Sequence, residues 1–305
     1  AMALNKEKVM ESARKFAEKG QIDKAIKEYQ RLVEEDPTDV RVWLKVGDLY
    51  AKRGSKAEAV EAYERSARLY EGQGFSLKAV AVYKQILKLD PALIKINRRL
   101  GDLYVQLEMN SEAMQHYEAV STQLLRDGRG REALEVAKVV VELAPEDIAP
   151  RIKLAEQYSK EDLVVDAVRE FTVACEQLRK AGRTDDFLKV AERLLWHRPD
   201  MIDLTRELAT LYMRRKDPRR ALAKLQICFK ADPQDVAVLN LMAEAFGESE
   251  QAPKAVQVLK ELARIHEQKG ERDLAVSAHR RVLQFDPNDA EAKAYAGAAR
   301  ATSSA

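Results

Sequence analysis

The sequence predicts an all-α fold, a solenoid of short amphipathic helices repeated along 305 residues. Three observations predict it. Prolines that close a helical run recur at fixed separations, and small, aromatic and alanine positions keep their register between them. Only 12 Gly and 9 Pro interrupt a chain that is 46% hydrophobic and 33% charged. That balance suits amphipathic helices and argues against both a sheet-rich and a disordered chain. The length is large for one globular core and ordinary for a stack of repeats.

The marker prolines are Pro37, Pro91, Pro145, Pro199, Pro233 and Pro287, separated by 54, 54, 54, 34 and 54 residues. A proline cannot continue the helix behind it and presets the start of the next. Ten residues after each stands a small residue: Gly47, Gly101, Ala155, Ala209, Ala243 and Gly297. Thirteen after comes a ring in the first five units, namely Tyr50, Tyr104, Tyr158, Tyr212 and Phe246. Ala59, Ala113, Ala167, Ala221 and Ala255 follow at twenty-two, and Tyr63, Tyr117, Phe171, Leu225 and Leu259 at twenty-six. Small residues let two helix axes approach, and the large group fills the space beside them.

Trp43-x-x-Val46-Gly47-x-x-Tyr50 followed by Ala59-x-x-x-Tyr63 resembles the signature of the tetratricopeptide repeat, with Val where Leu is usual. The resemblance covers nearly the whole chain and implies a right-handed α-solenoid. One departure is clear: the family's period is 34 residues, whereas most units here carry 20 more. The added residues predict a third helix after a glycine turn, since Gly74, Gly128, Gly182 and Gly270 each lie seventeen residues before a proline. The first complete unit then reads as helices over 39–52, 56–72 and 75–89, with turns at Lys19-Gly20, Arg53-Gly54-Ser55 and Met109-Asn110. About seventeen helices are expected, in one repeat domain over 3–305. The alanine-rich stretch 288–305 is expected to cap the array or to be a truncated helix, because Arg300 stands where a ring is expected.

Lys+Arg 52 against Asp+Glu 50 leaves a net charge of +2, too little for a bulk polyanion binder. Ala1 and Met2 read as a cloning remnant, and neither a signal peptide nor an eighteen-residue apolar run follows. With Cys175 and Cys228 far apart, a reducing cytoplasm is the natural setting. A secreted or lipid-anchored form would need a leader ahead of this sequence. No catalytic, cofactor or metal constellation is legible. His116, His197, His266 and His279 form no pair at ligand spacing, and His279 takes the place of Tyr29 and Tyr83, a helix-packing position. Cys228 shares an apolar column with Leu32 and Ile86, and Cys175 a small-residue column with Ala67 and Ser121. The expected function is a non-enzymatic adaptor or scaffold that binds a peptide, helix or small domain of a protein partner, without membrane insertion. A bacterial role in secretion, motility or polarity is one setting consistent with it.

By the resemblance, groove-facing residues lie four, seven, eleven, fourteen and fifteen after each proline. They are Arg41, Leu44, Asp48, Ala51 and Lys52, then Lys95, Arg98, Asp102, Val105 and Gln106. Ala149, Ile152, Glu156, Ser159 and Lys160 follow, then Asp203, Arg206, Thr210, Met213 and Arg214, and last Ala237, Asn240, Glu244, Gly247 and Glu248. Chaperone-binding members of the family carry an asparagine at the eleventh position. Asp48, Asp102, Glu156 and Glu244 stand there instead, which argues against a chaperone-tail receptor, and Arg98 and Asp102 are spaced for an i,i+4 pair. Trp196 breaks a column of solvent types (Glu34, Lys88, Glu142) and is a candidate contact hot spot. Phe187 and Ala191 read as a compensated size swap on one helix. Arg214, Arg215, Lys216, Arg219 and Arg220 put five cations on one turn, the footprint of an alternative nucleic-acid reading, though no rings are interleaved to stack bases. A self-assembling scaffold, and so a homo-oligomer, is the second alternative.

Overall fold

The computed structural model describes residues 6–295, and they are helical with no strand among them. The register residues Gly297 and Arg300 lie outside the described residues, as does most of 288–305. The chain divides into two compact units, Ala1–Leu163 and Val164–Ala305.

In the first unit α1 (Lys6–Glu18) and α2 (Ile22–Glu35) precede α3 (Val40–Arg53), α4 (Lys56–Gly72) and α5 (Ser76–Leu89). Then come α6 (Ile94–Gln106), α7 (Asn110–Arg126), α8 (Gly130–Leu143) and α9 (Ile148–Lys160). The second unit holds α10 (Val164–Lys180), α11 (Thr184–His197), α12 (Ile202–Arg214), α13 (Pro218–Ala231), α14 (Val236–Glu248), α15 (Ala252–Gln268) and α16 (Arg272–Phe285). A further helix begins at 290. The expected helices at 39–52, 56–72 and 75–89 match α3, α4 and α5 to within a residue.

Lengths follow the period. α4, α7, α10 and α15 each have 17 residues, flanked by first helices of 13 or 14 and third helices of 14. The longer middle helix packs on the helices before and after it. α4 does so by burying Ala59, Tyr63 and Ala67 on one stripe and Ala62 and Ser66 on another. After α5 the contact with α6 is slighter, which sets three helices apart as the repeating group. Between Pro199 and Pro233 the spacing leaves room for only the two helices α12 and α13.

Glycine is needed where the chain turns into the third helix. Gly74, Gly128, Gly182 and Gly270 all have φ between 67° and 78°, a conformation open to glycine without a Cβ clash. The turn from first to second helix uses the same conformation, but only Gly54 is a glycine there. Glu108, Asp162, Lys216 and Glu250 adopt φ of 57–58°. In the second group the left-handed residue is therefore Glu108, one before the expected Met109-Asn110 turn. Asp39, Asp147 and Asp235 cap first helices, accepting from the amide two residues on at 3.0, 3.3 and 2.9 Å.

The core columns are those of the sequence. Ala59, Ala113, Ala167, Ala221 and Ala255 are fully buried, and Tyr63, Tyr117, Leu225 and Leu259 are buried. A Cβ built on Gly47 would stand 2.6 Å from the Tyr63 ring, and one on Gly101 2.8 Å from the Tyr117 ring. Where the small residue is Ala209 or Ala243, the partner column holds Leu225 or Leu259 instead of tyrosine. In these two groups the extra methyl on one helix is matched by a smaller group on the other.

Candidate partner-binding surface

α1, α3 and α5 present one side of the first unit, and a cleft of about 620 Å³ opens there. Arg41, Leu44 and Asp48 line it from α3, one helical turn apart. Lys45 of the same helix, Met10, Glu11 and Arg14 from α1, Tyr29 from α2 and Gln85 from α5 complete the wall. Leu44 lies partly buried against the core, so its free face is an apolar floor. Arg14 is bonded to Glu18 at 3.0 Å, Arg41 stands 3.6 Å from the Asp39 cap, and Lys45 stands 3.8 Å from Asp48. All three cations are exposed, and such pairs exchange readily with an incoming acid.

Asp48 is held from behind. The Tyr63 hydroxyl donates to it at 2.8 Å, and Gln85 Nε2 donates to that hydroxyl at 3.0 Å. Burial, then the Asp48 carboxylate, push the Tyr63 phenol up, so it stays a donor. In the next group Tyr117 donates to Asp102 at 2.7 Å. The acidic residue at the eleventh position thus has a structural task wherever tyrosine stands fifteen residues on. The expected Arg98–Asp102 pair does not form: Asp102 faces Tyr117 and, at 3.9 Å, Arg99. Lys95 pairs with Glu64 of α4. Ile152 and Glu156 lie on α9, and Glu156 lines a smaller cavity of about 230 Å³ between α7, α8 and α9.

In the second unit the expected groove residues are mostly engaged within the fold. Met213 is buried among core side chains and is not open to a partner. Arg206 reaches 2.6 Å from Asp235, the α14 cap, and so ties α12 to α14. A Cβ on Gly247 would meet the Phe285 ring at 2.8 Å, which puts that position under a third helix. The basic turn is largely neutralised. Arg215 pairs with Asp185, Lys216 with Glu248 at 2.9 Å and Arg220 with Asp217 at 3.4 Å, leaving Arg214 and Arg219 unpaired. Two further cations of the second unit are also taken, Arg206 by Asp235 and Arg198 by Asp200 at 2.7 Å. This weakens the electrostatic footprint that a nucleic acid would need.

Trp196 is 77% exposed. Its ring meets the His197 ring edge-on at 4.7 Å rather than folding onto another helix. Phe187 and Ala191 are both buried on α11. Burial raises the thiol pKa of Cys175 to about 12 and moves Cys228 the same way. Among the described residues no group of three or more His, Cys, Asp and Glu is placed to hold a metal, and no helix is long and apolar enough to cross a membrane.

Residues 10–73, which carry most of the α1–α3–α5 cleft, match a model of the tetratricopeptide repeat, and residues 258–291 match a second model of that repeat. The tetratricopeptide repeat is thus matched in these two segments of the chain. None of the curated proteins matches it. Similar solved structures include the MamA RS-1 ArsTM double mutant, at 17% identity over 60% of this chain and 89% of that one, with a TM-score of 0.31. The TPR2AB-domain:pHSP90 complex of yeast Sti1 is 15% identical over 92% and 96%, also at 0.31. YrrB, described as a tetratricopeptide protein with an unusual peptide-binding site, is 18% identical over 70% and 96%, at 0.22. At TM-scores this low they carry nothing further, and the likeness to the repeat rests on the two matched segments.

Within this helical array the register after Pro37 brings Arg41, Leu44 and Asp48 to one cleft. It does not indicate Met10, Arg14, Tyr29 or Gln85. Those belong to helices before the first marker proline or to the added third helix, for which the family's groove positions offer no guide. One overlooked residue did carry a signal. Gln157 sits in a column otherwise held by Leu49, Leu103, Leu211 and Ala245, and a polar side chain in an apolar column marks a break in the core.

Proposed function

We propose that the chain is a non-enzymatic adaptor that binds a segment of a protein partner along the α1–α3–α5 cleft. The observation that carries this is the convergence of Arg41, Leu44, Asp48, Arg14 and Gln85 on one open cleft with an apolar floor. Helical repeats use such faces to hold extended peptides or helices. The mixed charge of the walls suits a segment with one apolar anchor flanked by polar groups of both signs. We also read 3–305 as one repeat domain, because the proline register runs unbroken from Pro145 to Pro199. A single calorimetric transition for the whole chain is expected, and two separated transitions would overturn that reading.

The test of binding is selection of a displayed random peptide library on the full chain. A selected peptide is then titrated against wild type and Arg41→Glu/Lys45→Glu, with circular dichroism to confirm that both are folded. At least a tenfold loss in the variant is expected. Equal affinity would remove the cleft as the site, and a library yielding no binder would count against peptide recognition altogether.

A further inference from the structure

Three positions recur where a middle helix meets its own third helix and the first helix of the next group: thirty-four, forty-six and sixty-two residues after the proline. After Pro37 they hold Glu71, Tyr83 and Arg99. The Tyr83 hydroxyl donates to Glu71 at 2.7 Å, and Arg99 Nε donates to the same carboxylate at 3.2 Å. After Pro233 they hold Glu267, His279 and Tyr295, with His279 Nε2 3.3 Å from Glu267 and its ring stacked on Tyr295 at 4.5 Å. After Pro145 they hold Arg179, Ala191 and Glu207. Here the charges are exchanged, Arg179 donating to Glu207 at 3.0 and 2.8 Å. The ring missing at Ala191 is replaced by Phe187, one turn earlier, 5.0 Å beneath the Arg179 guanidinium.

After Pro91 the same three positions hold Leu125, Ala137 and Lys153. No ring is supplied, because Ala133 stands where Phe187 does. The three residues line the cavity of about 230 Å³ between α7, α8 and α9. Its wall also carries Gln157, whose side-chain Nε2 has no hydrogen-bond partner although the residue is only 9% exposed. A buried donor left unpaired is costly, so a ligand group that accepts from it gains the difference. At the rim Lys153 is bonded to Glu118 at 3.2 Å, and Glu156 and Lys160 add one charge of each sign. The pocket therefore asks for no net charge. Its volume is below the roughly 300–1,000 Å³ of sites for drug-sized molecules and suits one side chain.

We propose that this cavity takes a single aromatic side chain of a partner peptide, seated where Tyr83 and His279 place a ring in their own groups, with a peptide carbonyl accepting from Gln157 Nε2. This rests on the reading of the chain as a peptide binder and adds a residue preference to it.

The test uses ligand-observed NMR on the full chain with N-acetyl-L-tyrosinamide and N-acetyl-L-alaninamide as probes. Affinity for the tyrosine probe is expected on the order of millimolar, as for other minimal ligands, and at least tenfold weaker for the alanine probe. Ala137→Tyr should supply the missing ring from within, abolish probe binding and melt no lower than wild type. Gln157→Leu restores the leucine of that column and should weaken the probe several-fold while the fold is kept. Equal binding by Ala137→Tyr and wild type would overturn the proposal. So would a wild type that binds neither probe, which would mean that Gln157 is served by water. Library peptides sensitive to Arg41→Glu/Lys45→Glu but not to Ala137→Tyr would sink this inference and leave the adaptor reading standing.

Discussion

The Tyr117 hydroxyl lies 2.7 Å from Asp102 Oδ1, joining the second helix of a group to the first across fifteen residues of chain. It explains why an acid stands at a position expected to face a partner. Tyr117→Phe leaves the ring and its packing on Gly101 and removes only the donor. It is expected to cost about 0.5–1.5 kcal/mol in a denaturant titration. Gly101→Ala drives a methyl into that ring and is expected to cost about 1–3 kcal/mol. A Gly101→Ala protein as stable as wild type would show that the two helices are further apart than described.

Overpacking tests the alanine column. Ala113 and Ala167 are fully buried, whereas Glu112 beside the first is partly exposed. Ala113→Leu and Ala167→Leu should each cost about 1–3 kcal/mol, and Glu112→Leu should stay within about 0.5 kcal/mol. Equal melting of all three would mean the register is misassigned.

Four turns place a non-glycine residue in the left-handed region, at Glu108, Asp162, Lys216 and Glu250. That conformation costs an L-residue about 1–2 kcal/mol relative to its usual geometry. Glu108→Gly is accordingly expected to be neutral or mildly stabilising, while Gly54→Ala, at the same place in the preceding group, should destabilise. Paired thermal melts decide it, and a clear loss in Glu108→Gly would contradict the turn geometry.

His116 offers a pH readout. Its Nδ1 lies 2.9 Å from Asn97 Oδ1, its ring stacks on Tyr104 at 5.6 Å, and burial, then Lys84, push its pKa below the ordinary 6.5. Asn97 Nδ2 already donates to the Pro91 and Leu93 carbonyls, so the imidazole is the donor to Oδ1. The unfolded chain then binds more protons than the folded one just below pH 6.5, and stability falls as pH drops through that range. Between pH 7.5 and 5.5 wild type should lose more melting temperature than His116→Gln. An equal loss in both would show that this imidazole is not shielded.

Much of the architecture was legible because it is written in local spacing. A helix interrupted by proline, a small residue facing a ring, and glycine in a left-handed turn are properties of a few neighbouring residues. Gly74, Gly128, Gly182 and Gly270 therefore mark the third helix in the sequence itself, and Ala59, Ala113 and Ala221 the close contacts. Only the tertiary structure decided which charges are already engaged. Arg206 meets Asp235 and Arg215 meets Asp185 over stretches of chain whose pairing depends on how helices cross and which rotamers reach. The same holds for the cavity at Leu125, Ala137 and Lys153. Each is an unremarkable residue on its own helix, and the missing ring exists only where three helices meet.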